Sequence, residues 1–221
     1  MNVLHICASP RPISESVSKQ LAAAFFTKLA ELNPDVDVNN VDLYHNTPPF
    51  LSNEAYRFMW KPIYEEGYQP NNEEKKAATY ALAQAEMLKE ADVLVLTMPL
   101  WNGGMPAIMK AWIDQVMVPN QIFSYGIAGA MPLHHIRQAI VLVSSGDILK
   151  EGDPSDALTP EVNALMKFLN IEEVAFAWAE GQDPITHHDG EERKALAMEA
   201  AQELAEDLAS LAGPTAEPAT V

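Results

Sequence analysis

The sequence predicts an α/β fold: a doubly wound parallel sheet of five strands, in the order 2-1-3-4-5, with helices on both faces. Three observations carry this. Apolar runs of strand length alternate with stretches of helical period. Two of those runs, Asp92–Met98 and Gln138–Ser144, are almost continuously apolar, as in strands buried on both faces. The segments after the first, third and fourth runs are rich in Ser, Pro and Gly, and they fall where such a sheet places its ligand.

Val3–Cys7 reads as the first strand. Val17, Leu21, Phe25, Leu29 and Leu32 then follow helical spacing, with Ser14 or Ser16 as N-cap and Asn33-Pro34-Asp35 as the stop. Val36, Val38 and Val41 mark the second strand. Glu73 to Glu90 reads as one helix rich in Ala, Leu, Glu and Lys. Asp92–Met98 is the third strand, and Met105, Ile108, Met109, Trp112, Ile113 and Val116 line one face of the helix after it. Gln138–Ser144 is the fourth strand. Thr159 is placed to cap a helix with Pro160 in its first position. Val174–Trp178 is the fifth strand, and Asp189 with Glu192 forms a capping-box-like start to a helix ending near Leu211. Residues 1–211 are therefore expected to form a single domain, with 212–221 as a frayed tail. The segment 44–72 is too long for an ordinary connection. It carries Tyr44, Phe50, Tyr56, Phe58, Trp60, Tyr64 and Tyr68, the composition of an interface, of a wall over a ligand, or of added core.

Composition narrows the function. The charge is −17, from 14 basic and 31 acidic residues, which disfavours nucleic acid and anionic membranes as partners. No apolar run reaches the length of a membrane span. Asn2–Cys7 follows Met1 with no basic segment or cleavage site, so a signal peptide is not expected and a cytoplasmic setting is. The one cysteine, Cys7, can neither staple the fold nor build a thiolate cluster, and reads as a small buried hydrophobe.

The loop Ala8–Ser18 holds four serines and Arg11 and ends at a helix start. Helix N-termini offer free N–H groups to anions and serines add neutral donors, so this looks like a cradle for a phosphate monoester. Capping alone accounts for one or two of the serines. The loop Met98–Pro106 combines Pro and Gly with Leu100 and Trp101, so its backbone can approach a flat ring closely. Ser144-Ser145-Gly146-Asp147 follows the fourth strand. A Gly-rich dinucleotide fingerprint is absent from the first loop, as are a Walker A motif and a Gly-x-Ser-x-Gly elbow. A phosphatase Cys-x5-Arg loop fails because position 13 is Ile13. His187-His188 sits in an acidic loop and reads as a surface turn, so no metal site is expected.

These residues together resemble the FMN-dependent NADH:quinone oxidoreductases, also called azoreductases, of the flavodoxin-like superfamily. The likeness rests on Ser9 with Ser16-Val17-Ser18, on Met98-Pro99-Leu100-Trp101-Asn102, on Pro106 and Lys110-Ala111-Trp112-Ile113-Asp114, on Phe123, on Ser144-Ser145-Gly146-Asp147 and on Ala179-Glu180-Gly181. It spans about residues 2 to 208. The resemblance implies bound FMN. Ser9, Ser16, Val17 and Ser18, with Arg11, would hold the phosphate, and Pro99, Leu100, Trp101, Asn102 and Gly103 the ring edge. Ser144, Ser145, Gly146 and Asp147 would close the other side, and Phe123 would wall the substrate pocket. It further implies NADH or NADPH as donor, a quinone or azo compound as acceptor, ping-pong kinetics and a homodimer, with the chemistry carried by the flavin and no catalytic side chain singled out. Two departures bear on the acceptor rather than on the flavin. Gly103 stands where the family commonly has an aromatic, which is expected to open space over the flavin. Ser145 and Asp147 stand where it commonly has Arg and Gly. The alternatives are a flavodoxin-like electron carrier or FMN-binding regulator without turnover, and a flavin-free interaction protein on the same fold.

Overall fold

The computed structural model describes residues 1–127, 129–149 and 152–211. In chain order the elements are β1 (Asn2–Cys7), α1 (Val17–Leu32), β2 (Asp37–Asp42), α2 (Asn53–Tyr64), α3 (Asn72–Ala77), α4 (Thr79–Glu90) and β3 (Val93–Pro99). Then come α5 (Ala107–Val116), β4 (Phe123–Gly126), β5 (Gly129–Pro132), β6 (Gln138–Ser144), α6 (Leu158–Phe168), β7 (Glu173–Ala179) and α7 (Gly190–Leu211). The expected tail, 212–221, lies outside the described residues.

Five parallel strands form one sheet in the order β2-β1-β3-β6-β7. The expected order 2-1-3-4-5 becomes 2-1-3-6-7 in chain numbering. The cause is an antiparallel hairpin, β4-β5, which the sequence reading missed. Its strands have four residues each, too short to show an alternation.

Both faces of the sheet are covered, which explains the unbroken apolar strands. Leu4, Ile6, Leu94, Leu96, Ala139 and Val141 pack on one face against α4, α5 and α6. Val3, Val93, Val95, Ile140 and Leu142 pack on the other against α1 and α7. Helix α7 presents Ala197, Ala201 and Ala205, a stripe of small side chains at helical spacing that lets it lie close to α1. His5 is buried in β1, with Nδ1 2.7 Å from Asn40 Oδ1 and Nε2 2.9 Å from Thr97 Oγ1. It thereby ties three adjacent strands. Burial lowers its pKa to about 4, against the raising effect of the Asn40 hydrogen bond. Cys7 is buried as expected, and desolvation pushes its thiol pKa up.

The segment 44–72 contributes a helix. Ser52 Oγ accepts from Ala55 N–H at 3.1 Å to start α2. Phe58 and Trp60 pack on the main core, whereas Phe50, Tyr56 and Tyr64 remain exposed. Buried Glu74 receives the Arg57 guanidinium and the Tyr68 hydroxyl, both at 2.6 Å, and so fastens α2 to α3. The single helix expected from Glu73 to Glu90 is interrupted at Ala78, where ψ is 0°. Thr79 Oγ1 donates there to Lys76 O at 2.9 Å.

Candidate functional site

The chain switches direction across the sheet at β1, whose two neighbours are β2 and β3. The crevice beyond the carboxyl ends of β1, β3, β6 and β7 is therefore the expected ligand position. The loops there are anchored by bonds that continue the ladder. Ala8 N–H donates to Thr97 O at 2.8 Å, Leu100 N–H to Ser144 O at 2.8 Å, and Ser145 N–H to Ala179 O at 2.9 Å.

A cavity of about 220 Å³ opens at this place. Ser9, Arg11, Ser16, Val17 and Ser18 line one side of it, Pro99, Leu100 and Trp101 a second, and Ser144, Ser145 and Gly146 a third. The three loops singled out in the sequence thus converge. Ser16, not Ser14, caps α1, with its Oγ accepting from Lys19 N–H. Ser9 Oγ lies 2.8 Å from Ser16 Oγ, which lies 3.3 Å from Ser18 Oγ. These hydroxyls are buried and bonded in a chain at the start of a 16-residue helix. The first-turn amides of Val17 and Ser18 have no intrahelical acceptor. Neutral donors of this kind suit a phosphate ester better than any cation in the crevice does. Arg11 is 59% exposed in its side chain and lies 3.8 Å from Glu15.

The loop after β3 is a tight turn. Trp101 N–H donates to Gly104 O at 3.0 Å and Gly104 N–H to Trp101 O at 3.1 Å. Asn102 and Gly103 between them have φ of 52° and 79°, the pair of left-handed positions that Asn-Gly supplies readily. Gly103 does not open space, contrary to expectation. A Cβ there would lie 2.7 Å from Ser155 O, and Gly103 O accepts from Ala157 N–H at 2.7 Å. The room left by the absent side chain is filled by the segment leading into α6.

Two further expected residues are placed differently. The Asp147 carboxylate is 79% exposed and faces His187 at 3.6 Å. Asp147 O accepts from Ser145 Oγ at 2.8 Å and from Gly181 N–H at 3.2 Å, so it shapes the loop rather than lining the crevice. Phe123 is 1% exposed and packs among Trp60, Tyr125 and Phe168, so it walls no cavity. No group of His, Cys, Asp and Glu among the described residues is arranged to hold a metal ion.

The structure adds what sequence reasoning missed. Gln182 and Asp183 line the crevice, because the loop after β7 folds back on the loop after β6 through Gln182 N–H to Ser145 O at 3.0 Å and Asp183 N–H to Gly146 O at 3.1 Å. Their only sequence signal was position after the last strand. A second cavity, of about 790 Å³, adjoins the first at Trp101. Tyr44 and Phe50 from segment 44–72 line it together with Asn102, Met105, Ile108 and Glu161. Two of the flagged aromatics thus do form a wall. A third, apolar groove of about 570 Å³ lies between α1 and β2. It lacks the serine and helix-terminus donors, so the crevice is the better candidate site. Helix α6, which contributes Glu161 to the second cavity, begins with Ala157 at its N-cap, not Thr159; Asp156 Oδ1 accepts from Thr159 N–H at 2.9 Å.

Comparison with known proteins places the fold in a family. A family model described as "Flavodoxin-like fold" matches residues 1–206. FMN-dependent NADH:quinone oxidoreductase 2 of Colwellia psychrerythraea is 32% identical over 187 residues, covering 78% of this chain and 84% of that protein. A relative of the same name from Listeria monocytogenes serotype 4b is 32% identical over 210 residues, covering 91% and 98%. Among solved structures, azoreductase AzrA matches with a TM-score of 0.84 at 25% identity, covering 94% of this chain and 100% of that one. An azoreductase from Bacillus anthracis matches with a TM-score of 0.83 at 25% identity, covering 93% and 99%.

Proposed function

This chain belongs to the family with the flavodoxin-like fold, and on that premise we propose that it is an FMN-dependent oxidoreductase passing electrons from NADH or NADPH to quinones or azo compounds. One observation carries the reading: the linked hydroxyls of Ser9, Ser16 and Ser18 at the start of α1, facing a crevice that runs past Trp101 into a larger apolar cavity. A phosphate at one end and a flat ring at the other match that sequence of surfaces.

In this reading Ser9, Ser16 and Ser18 hydroxyls and the Val17 and Ser18 amides donate to the FMN phosphate, and Arg11 adds charge from the rim. Pro99 to Gly103 support the ring edge, with Trp101 as apolar surface, and Ser144 to Gly146 with Gln182 close the opposite side. FMN, when bound, supplies the two-electron chemistry. The protein binds and orients, and Tyr44, Phe50, Met105 and Ile108 give the larger cavity an apolar wall. Donor and acceptor use one open face in turn, which gives ping-pong kinetics. We assign no side chain as acid or base. A homodimer would have the exposed Tyr56, Tyr64, Tyr125 and Met131 available for its interface. A cytoplasmic setting suits a user of NADH or NADPH.

Steady-state assays of the FMN-loaded protein test this, with each nicotinamide against menadione and against an azo dye. Parallel double-reciprocal lines are expected. Intersecting lines would reject the alternating scheme. A protein that binds FMN but is reduced by neither nicotinamide would instead be an electron carrier.

A further inference from the structure

We propose that Glu161 makes this site discriminate against negatively charged acceptors, an inference that rests on the oxidoreductase reading above. The start of α6 is fixed to the turn that carries Trp101. Ala157 N–H donates to Gly103 O at 2.7 Å, and Ser155 O occupies the position a Cβ of residue 103 would need. One turn into α6, Glu161 lines the same cavity as Trp101 and Asn102. The first turn of a helix is a favourable place for a carboxylate.

Among the described residues, the cavity lining holds one acid and one base, and only the base has an ion-pair partner. The Glu161 carboxylate has no hydrogen bond or ion pair among the described residues. Lys110 is the other charged residue of the lining, and Asp114, one helical turn on, neutralises it. Tyr44, Phe50, Trp101, Met105 and Ile108 make the remaining wall largely apolar. An uncharged aromatic acceptor loses nothing by entering. A sulfonated or carboxylated one brings a second negative charge beside Glu161, where the apolar wall weakens screening. The chain's net charge of −17 acts in the same sense at long range, but salt removes that contribution.

The test uses the FMN-loaded protein with naphthoquinone and its ring-sulfonated analogue. Two quantities are read: kcat/KM with NADH, and the dissociation constant without NADH from quenching of tryptophan fluorescence. Glu161→Gln is expected to raise kcat/KM and tighten binding for the sulfonate about fivefold, while the neutral quinone changes less than about twofold. Glu173→Gln, at the opposite end of the sheet, makes the same change in net charge and leaves both ratios where they were. An unchanged ratio in Glu161→Gln overturns the proposal, and so does an equal shift in Glu173→Gln. If neither quinone is turned over, the oxidoreductase reading fails, while the binding ratio still decides the role of Glu161.

Discussion

At Gly103 the backbone sits at φ 79° and a Cβ would lie 2.7 Å from a neighbouring carbonyl. Gly103→Ala therefore meets both backbone strain and a clash with main chain, and should cost roughly 1–3 kcal/mol in urea unfolding. Its effect should concentrate at the start of α6, which loses its anchor. Ser16 caps α1 and, in the proposed function, also donates to the phosphate. Ser16→Ala should lose about 1 kcal/mol of stability and raise the FMN dissociation constant about tenfold, the equivalent of one charge-assisted hydrogen bond. Fluorescence titration of FMN and urea melts separate the two. At His5 the folded chain holds the imidazole neutral, with a pKa of about 4 against an ordinary 6.5. The unfolded chain protonates first as pH falls, so stability is full above about 6.5 and declines toward pH 4. The loss is bounded by about 3 kcal/mol. His5→Gln should remove that part of the acid sensitivity, read as the difference between the two stability-against-pH curves. The serines were legible in the sequence because four in one loop exceed what capping needs. Gln182 was not, because only the fold-back of its loop brings it to the crevice.

Among the elements, the five strands of the main sheet were legible to within a residue or so: β1, β3 and β6 are buried on both faces and carry apolar runs, and the edge strands β2 and β7 were placed by their Val and aromatic residues between helical stretches. The connections were less so. Helix α2 is amphipathic and buries Ala55 and Met59 on one face, but exposed aromatics and an internal Pro62 interrupt its pattern, and side-chain ties to α3 add to its hold. The Arg57–Glu74–Tyr68 cluster is one such tie. The Tyr68 and Arg57 hydrogen bonds bring the Glu74 pKa down to about 2, so this fastening persists at neutral pH and loosens only as pH falls from about 4.5 toward 2. Glu74→Gln should speed amide exchange in α2 and α3 and leave the sheet protected. Helix α7 depends on small residues. Ala201 is fully buried in the contact with α1, and Ala201→Leu should cost roughly 1–3 kcal/mol by overpacking.

At the scale of the whole molecule, the sheet gathers at one edge loops as far apart in sequence as Ser9 and Asp183, and function follows from that gathering. Residues 1–211 should unfold in a single cooperative transition, because α1 and α7, from opposite ends of the chain, pack together on one face. The topology was readable from the alternation of apolar runs and helical periods. What the crevice holds was read from the family resemblance of the loop around Asn102, to which the structure adds the convergence of the three loops on one crevice. The most direct test is anaerobic titration of the purified protein with FMN, followed by NADH and then menadione, watching the visible flavin band. The account predicts saturable uptake of one FMN per chain, bleaching of the band by NADH, and its return on adding the quinone. A protein that takes up no FMN would contradict it.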